Sequence, residues 1–208
     1  SLTDYFDTDK VLIDLEGHGR EKISKDIDIS RTVGWFTSKY PVLIELDNST
    51  DISKQLINVK EQMRHVPNKG IGYGVIRYLS KSGIDIDVKP EVGFNYLGQF
   101  DGSFSNSVFT LSDLSAGKSI SDDMNQMHNI DINGAVIDEK MNFTFSYNES
   151  KYKEDDIKNI ADKYKNYLKK IIDNCVNSNE RQLTPSDLVY KDISLTELED
   201  IKDMLSEF

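Results

Sequence analysis

VLIDLEGHGRE, residues 11–21, starts as an apolar strand and ends polar and glycine-rich. Strand alternation puts Val11, Ile13 and Leu15 on one face. Asp14, Glu16, His18 and Arg20 fall on the other for as long as the strand stays regular. One face seeks a core, and the opposite face collects ionisable side chains. Gly17 and Gly19 follow the carboxylate at position 16, and both allow a close approach of backbone or ligand.

Working outward, residues 26–31 read as a polar connection, and TVGWFTSKYPVLIEL (32–46) reads as a β-branched, aromatic strand broken by Pro41. DISKQLINVKEQMRHV (51–66) has helical spacing, with Ile52, Leu56, Val59 and Met63 as its stripe, Asp51 or Thr50 as its cap and Pro67 as its stop. PNKGIGYG (67–74) is a glycine-rich turn, and 74–83 a short helix ending at Gly83. EVGFNYLGQF (91–100) is a strand, followed by a polar loop over 101–125. Residues 128–150 form a hairpin that turns near Asp138–Lys140, and 154–177 an amphipathic helix. Ser194 and Glu197 make a capping box for a last short helix. Strands and helices mix without a regular βαβ rhythm, which predicts one α/β domain with a polar C-terminal extension.

Composition narrows the function. The net charge of −11 repels phosphate backbones, so nucleic acid is not an expected partner, and anionic membrane surfaces are disfavoured. There is no apolar run long enough for a membrane span, and the N-terminal residues lack the layout of a signal peptide. The single cysteine, Cys175, cannot form an internal disulfide and reads as a buried small hydrophobe of a reducing, cytoplasmic compartment. Gly70, Gly72 and Gly74 lack the Lys-Ser/Thr of a phosphate loop. Three scattered histidines and one cysteine offer no metal-ligand spacing, and no GxSxG elbow is present.

Four segments together resemble the epimerization domains of nonribosomal peptide synthetases, members of the condensation-domain superfamily. They are EGHGRE (16–21), RTVGWFTSKYPV (31–42), PNKGIGYG (67–74) and FNYLGQFD (94–101). The tail LTPSDLVYKDISLTELEDI resembles the segment that often ends such domains. The resemblance implies a chloramphenicol-acetyltransferase-like α/β lobe, with a mixed, mostly antiparallel sheet packed with helices. It implies that residues 1–180 are the C-terminal lobe and 181–208 an extension with a short helix. The HHxxxDG motif of the family's preceding lobe is absent here. That absence, together with the initial Ser, leads to the expectation of a segment cut from a longer polypeptide. Its exposed inter-lobe face would be apolar and open to self-association.

The activity implied is conversion of an L-aminoacyl or L-peptidyl thioester to the D form. The substrate arrives on the phosphopantetheine of a peptidyl carrier protein, and the chain itself needs no cofactor or metal. Removing and returning a Cα proton requires an acid/base group beside the carbon and stabilisation of an enolate. Glu16 matches the family's acid/base glutamate, facing a histidine of the upstream lobe. Arg20, on the same face, would orient that carboxylate or meet charge on the thioester oxygen. Tyr96, on a strand face with Phe94 and Gly98, would lie at the active-site tunnel as a hydrogen-bond donor or proton carrier, with Asn95 facing the other way. Gly17, His18, Asn95 and Gly98 are expected along the tunnel. Trp35, Phe36 and Tyr40 are expected in the core or between lobes. The isolated lobe is expected to be inactive. The alternatives are a condensation or acyltransferase lobe that forms amide bonds, and a non-catalytic lobe that docks carrier protein.

Overall fold

A computed structural model describes residues 1–47, 49, 51–81, 88–99, 112, 114, 115, 117, 121, 124, 126–178, 183–188 and 193–206. Most of the 101–125 loop lies outside the described residues, as does Gly83. The helix expected over 74–83 is shorter, its last helical turn ending at Leu79, where Ser80 takes an extended backbone. The elements run α1 (Leu2–Phe6), β1 (Lys10–Gly17), β2 (Ser38–Glu45), α2 (Ile52–Arg64), α3 (Ile71–Gly74), β3 (Val92–Gln99), β4 (Ile130–Ile137), β5 (Lys140–Tyr147), α4 (Glu154–Asn177) and α5 (Leu195–Ser206). A short 3-10 turn, Pro67–Gly70, precedes α3, and a π-type turn, Val75–Leu79, follows it. No helix among the described residues is long and apolar enough to cross a membrane.

The strands form one five-stranded sheet in the order β2-β1-β3-β4-β5. β3 runs parallel to both of its neighbours, and β4 and β5 are antiparallel. Lys10 meets Glu45 and Glu16 meets Lys39, so β1 and β2 also run antiparallel. The mixed α/β class holds, with parallel and antiparallel pairings side by side in place of the expected antiparallel majority. β3 enters only after a long excursion from β1, and that leaves it free to align parallel.

Two expectations for β2 change. The strand begins at Ser38 rather than Thr32, and it runs through Pro41 unbroken. Its place at the sheet edge is the reason, because a proline without an N–H is tolerated where no neighbour needs one. The hairpin reading is met. Ile137 pairs with Lys140, and Asp138 and Glu139 carry φ of 51° and 58°, the left-handed pair that a two-residue turn between right-twisted strands demands.

The chain divides into two compact units. One comprises Ser1–Val11, Leu43–Lys69 and Ile160–Phe208; the other comprises Leu12–Val42 and Gly70–Asn159. The second contains most of the sheet, with Val92, Ile130 and Ile132 buried at its centre. In the first, Ile160 and Leu198 are buried apolar anchors of α4 and α5, whereas Cys175 is exposed rather than buried as expected, because the last residues of α4 stand clear of the packed face. The cap read at α2 is present, with Asp51 Oδ1 accepting from the Ser53 N–H at 2.8 Å. Asp51→Ala is expected to destabilise that unit by about 1 kcal/mol, measured as a lowered urea midpoint. The α5 capping box also forms: the Glu197 N–H donates to Ser194 Oγ at 3.2 Å and the Ser194 N–H to Glu197 Oε2 at 2.8 Å.

A polar latch ties α2 to the Thr184–Asp187 turn of the same unit. Lys60 and Arg64 both bond Asp187, while the buried Glu61 accepts from Ser186. Burial pushes Glu61 up, but the Ser186 and Thr184 donors outweigh it and hold the carboxyl below its ordinary value. The Lys60 ammonium, and after it the Arg64 guanidinium, holds the Asp187 carboxyl well below the usual carboxylate range. A depressed folded pKa gives stability that is complete above the ordinary value of 3.8 and is lost as pH falls below it. Asp187→Asn is therefore expected to lower stability at neutral pH and to flatten the acid limb, which unfolding midpoints taken between pH 7 and pH 2 would record.

Candidate functional site

The charged face read from the opening stretch exists, and the register of the sheet extends it across three strands. Asp14 of β1 lies opposite Gly93 of β3, and Gly93 lies opposite Asp131 of β4. One step along, on the same face by alternation, stand Glu16, Asn95 and Asn133. All of them line a recess of about 20 Å³, room for roughly one water molecule. The recess adjoins a groove of about 1120 Å³ that Asp14, Glu16, Lys39 and His128 also line.

Glu16 is held by Lys39 of β2, Nζ to Oε1 at 2.7 Å. Their side chains are 26% and 43% exposed, so the pair stands at the groove border, within reach of solvent. An ion pair this accessible contributes at most about 1 kcal/mol. Its consequence is orientation of the carboxylate rather than stability. Trp35, Tyr78 and Leu79 give the groove an exposed apolar wall, and Ile71, Tyr73 and Gly74 bring the glycine-rich turn to its edge. Of the residues expected in the core or between lobes, Trp35 is 91% exposed and lies outside the core, while Tyr40 is buried, with Gly70 packed flat against its ring.

The remaining candidates divide. Asn95 lines the recess with Glu16. Tyr96 is on the opposite face of β3, in the row where it pairs with Gly134 and Gly134 pairs with Phe143. Its ring stacks on that of Phe143, centroids 6.5 Å apart, over the space that Gly134 leaves empty. Alternation along β3 separates Tyr96 from Glu16 as it separates Tyr96 from Asn95.

Arg20 does not reach Glu16. β1 ends at Gly17, and the chain then folds so that the Arg20 guanidinium donates to the carbonyl of Ile29 at 2.8 Å and of Gly34 at 3.4 Å and lies 4.1 Å over the Phe36 ring. The i, i+4 relation to Glu16 held only for a continuing strand or helix. His18 turns outward: Nδ1 accepts from the Arg20 N–H at 3.0 Å, and Nε2 is 3.1 Å from Glu21. Gly17 packs beside Ser38 and Tyr40, while Gly98, at φ +84°, occupies an irregularity near the end of β3, where an added Cβ would meet no atom of the described residues. Neither is part of the groove lining.

Asp14, Lys39, His128 and Asp131 were not singled out from the sequence as site residues. The alternation had placed Asp14 with Glu16, and a glycine inside a strand, Gly93, was a signal of close approach. Nothing local tied His128 to either aspartate.

A mixed five-stranded sheet packed with helices matches the chloramphenicol-acetyltransferase-like architecture of condensation domains. The condensation domain family matches residues 1–194, and the chain belongs to that family. It is 43% identical over 219 residues to gramicidin S synthase 1 of Brevibacillus brevis, covering 100% of this chain and 20% of that protein. To bacitracin synthase 3 of Bacillus licheniformis it is 46% identical over 191 residues, covering 91% of this chain and 3% of that protein. The chain thus spans a fifth or less of these relatives. Among solved structures it is similar to the epimerization domain from the third module of tyrocidine synthetase B, with TM-score 0.77 and 36% identity over 85% of this chain and 40% of that one. The resemblance read from the four motifs is met by these matches.

Proposed function

We propose that this chain is the lobe of a nonribosomal-peptide-synthetase epimerization domain that carries its acid/base carboxylate. Glu16 removes or returns the Cα proton of an aminoacyl or peptidyl thioester, converting the L to the D form. The observation that carries this reading is the place of Glu16, an oriented carboxylate at the border of a deep groove, in a chain similar to a solved epimerization domain.

The chemistry follows from the neighbours. A thioester Cα–H is a very weak acid, so the base must be held close and the enolate oxygen must find a donor. The Lys39 ammonium beside Glu16 and the Asn95 amide in the same recess are donors suited to that oxygen. The apolar wall of Trp35, Tyr78 and Leu79 suits an acyl chain and the pantetheine arm of a carrier protein. No cofactor beyond that arm is proposed. The chain matches 40% of the tyrocidine synthetase domain, so the reaction is assigned to this lobe together with an upstream one.

The test joins this chain to its upstream lobe and to a carrier protein loaded with an L-aminoacyl thioester in deuterated water. The expected result is appearance of the D isomer with deuterium at Cα. New amide formed with an acceptor, without change of chirality, would instead support the condensation reading. This chain alone is expected to give no exchange.

A further inference from the structure

His128 has no part in the reaction proposed above, yet it is a buried titratable side chain of the site, 5% exposed. Its Nδ1 is 2.8 Å from Asp131 Oδ1 and its Nε2 3.0 Å from Asp14 Oδ2. Those aspartates are on β4 and β1, with β3 between them. The ring therefore crosses the β3 backbone, and it does so at Gly93. A Cβ there would come within 2.5 Å of His128 Nδ1 and 2.4 Å of Asp131 Oδ1, so the crossing exists only because position 93 has no side chain.

The crossing bears on Glu16 through charge. Asp14 and Glu16 are alternate residues on one face of β1, and both line the recess that Lys39 also lines. Asp14 and Glu16, the two β1 carboxylates of the recess, thus share a single ammonium among its lining residues. The Asp14 carboxylate is 14% exposed at its side chain and must find a donor within the protein. The side chain that meets Asp14 is His128, through Nε2 at 3.0 Å, and Lys39 is left to Glu16 at 2.7 Å. Asp131, on the far side of the ring, anchors Nδ1 and fixes the direction in which Nε2 points.

We propose that His128 is a positioning residue that occupies Asp14 and thereby reserves Lys39 for Glu16. The Nε2 arm is the functional one, and the Nδ1 arm its anchor. The proposal rests on Glu16 acting as the acid/base group.

An amide can replace either arm separately. In His128→Gln the side-chain nitrogen falls near the former Nε2 and keeps the bond to Asp14; in His128→Asn it falls near Nδ1 and keeps only the bond to Asp131. With the two-lobe protein and loaded carrier, His128→Asn is expected to slow Cα deuterium exchange about 10- to 100-fold, the scale of a displaced catalytic group. His128→Gln should recover most of that rate. Asp14→Asn added to His128→Asn should restore exchange, because a neutral amide at position 14 no longer competes for Lys39, and the double-mutant cycle isolates that coupling.

Equal loss in the Gln and Asn variants, or no recovery on adding Asp14→Asn, would overturn the proposal, since a merely structural histidine is not replaced by neutralising its neighbour. If His128→Asn does not fold, the double variant decides by itself: near-wild-type exchange supports the proposal and slow exchange overturns it. Glu16→Gln in the same protein separates the two readings. Retained exchange there removes the role of Glu16, whereas lost exchange with unrescued His128 variants removes only the role of His128.

Discussion

Glu16→Gln is expected to lower Cα exchange by about 10²- to 10⁴-fold, the contribution of a positioned acid/base group. Glutamine keeps the shape of the side chain, and its carbonyl oxygen still accepts from Lys39, but it neither takes nor returns a proton at the pH of the assay. The fold should hardly notice. The ion pair is accessible to solvent on both sides, and its loss alters stability by less than about 1 kcal/mol. Carrier loading and the unfolding midpoint should therefore match the wild type while deuterium incorporation at Cα disappears. If exchange instead persisted within a few-fold of wild type, the proton would be moved by another group, and the groove would have to be read as an amide-forming or docking surface.

Gly19→Ala is the second large effect, and it is structural in origin. Gly19 has φ +64°, and a methyl group built on it would lie 1.4 Å from the carbonyl oxygen of Phe36 and 2.5 Å from its carbonyl carbon. The obstacle is backbone, so no rotamer change relieves it. The left-handed conformation alone disfavours alanine by about 1–2 kcal/mol. With the displacement of Phe36 added, we expect a loss of about 2–4 kcal/mol, read as a lowered unfolding midpoint. The consequence for the site follows from chain continuity. Phe36 carries the Arg20 guanidinium on its ring and stands two residues before β2, whose Lys39 holds Glu16. Exchange should fall along with stability. Gly17→Ala is the control, because its added methyl would meet the Ser38 hydroxyl at 3.2 Å, a contact that a side-chain rotation relieves. Equal effects at 17 and 19 would mean that the EGHGRE turn is not held by the Gly19–Phe36 approach.

That turn shows where a family motif and a local pattern part company. The motif led to Glu16, and the structure sets Glu16 in the groove lining. The same motif suggested that Arg20 serves Glu16, on an i, i+4 relation that needs β1 to continue. The chain leaves the strand after Gly17, and the guanidinium instead fastens the loop at Ile29, Gly34 and Phe36. Tyr96 is the complementary case. Its face along β3 was read correctly relative to Asn95, but alternation along one strand does not say which neighbouring strand shares that face. The pairing of Asp14 with Gly93 decides it, and puts Asn95, not Tyr96, beside Glu16.

Residues close in sequence fixed the local features: the Asp51 and Ser194 caps, the left-handed turn at Asp138 and Glu139, and the alternation of β1. These depend on interactions within a few residues, and the chain states them directly. The tertiary structure alone decided the parallel insertion of β3 between β1 and β4, the pairing of Lys39 with Glu16, and the bridge from Asp14 through His128 to Asp131 over Gly93. Each of these joins residues far apart in sequence. Their register is set by burying Val92, Ile130 and Ile132 together at the sheet centre, an apolar demand that leaves no trace in the spacing of the polar residues it brings into contact.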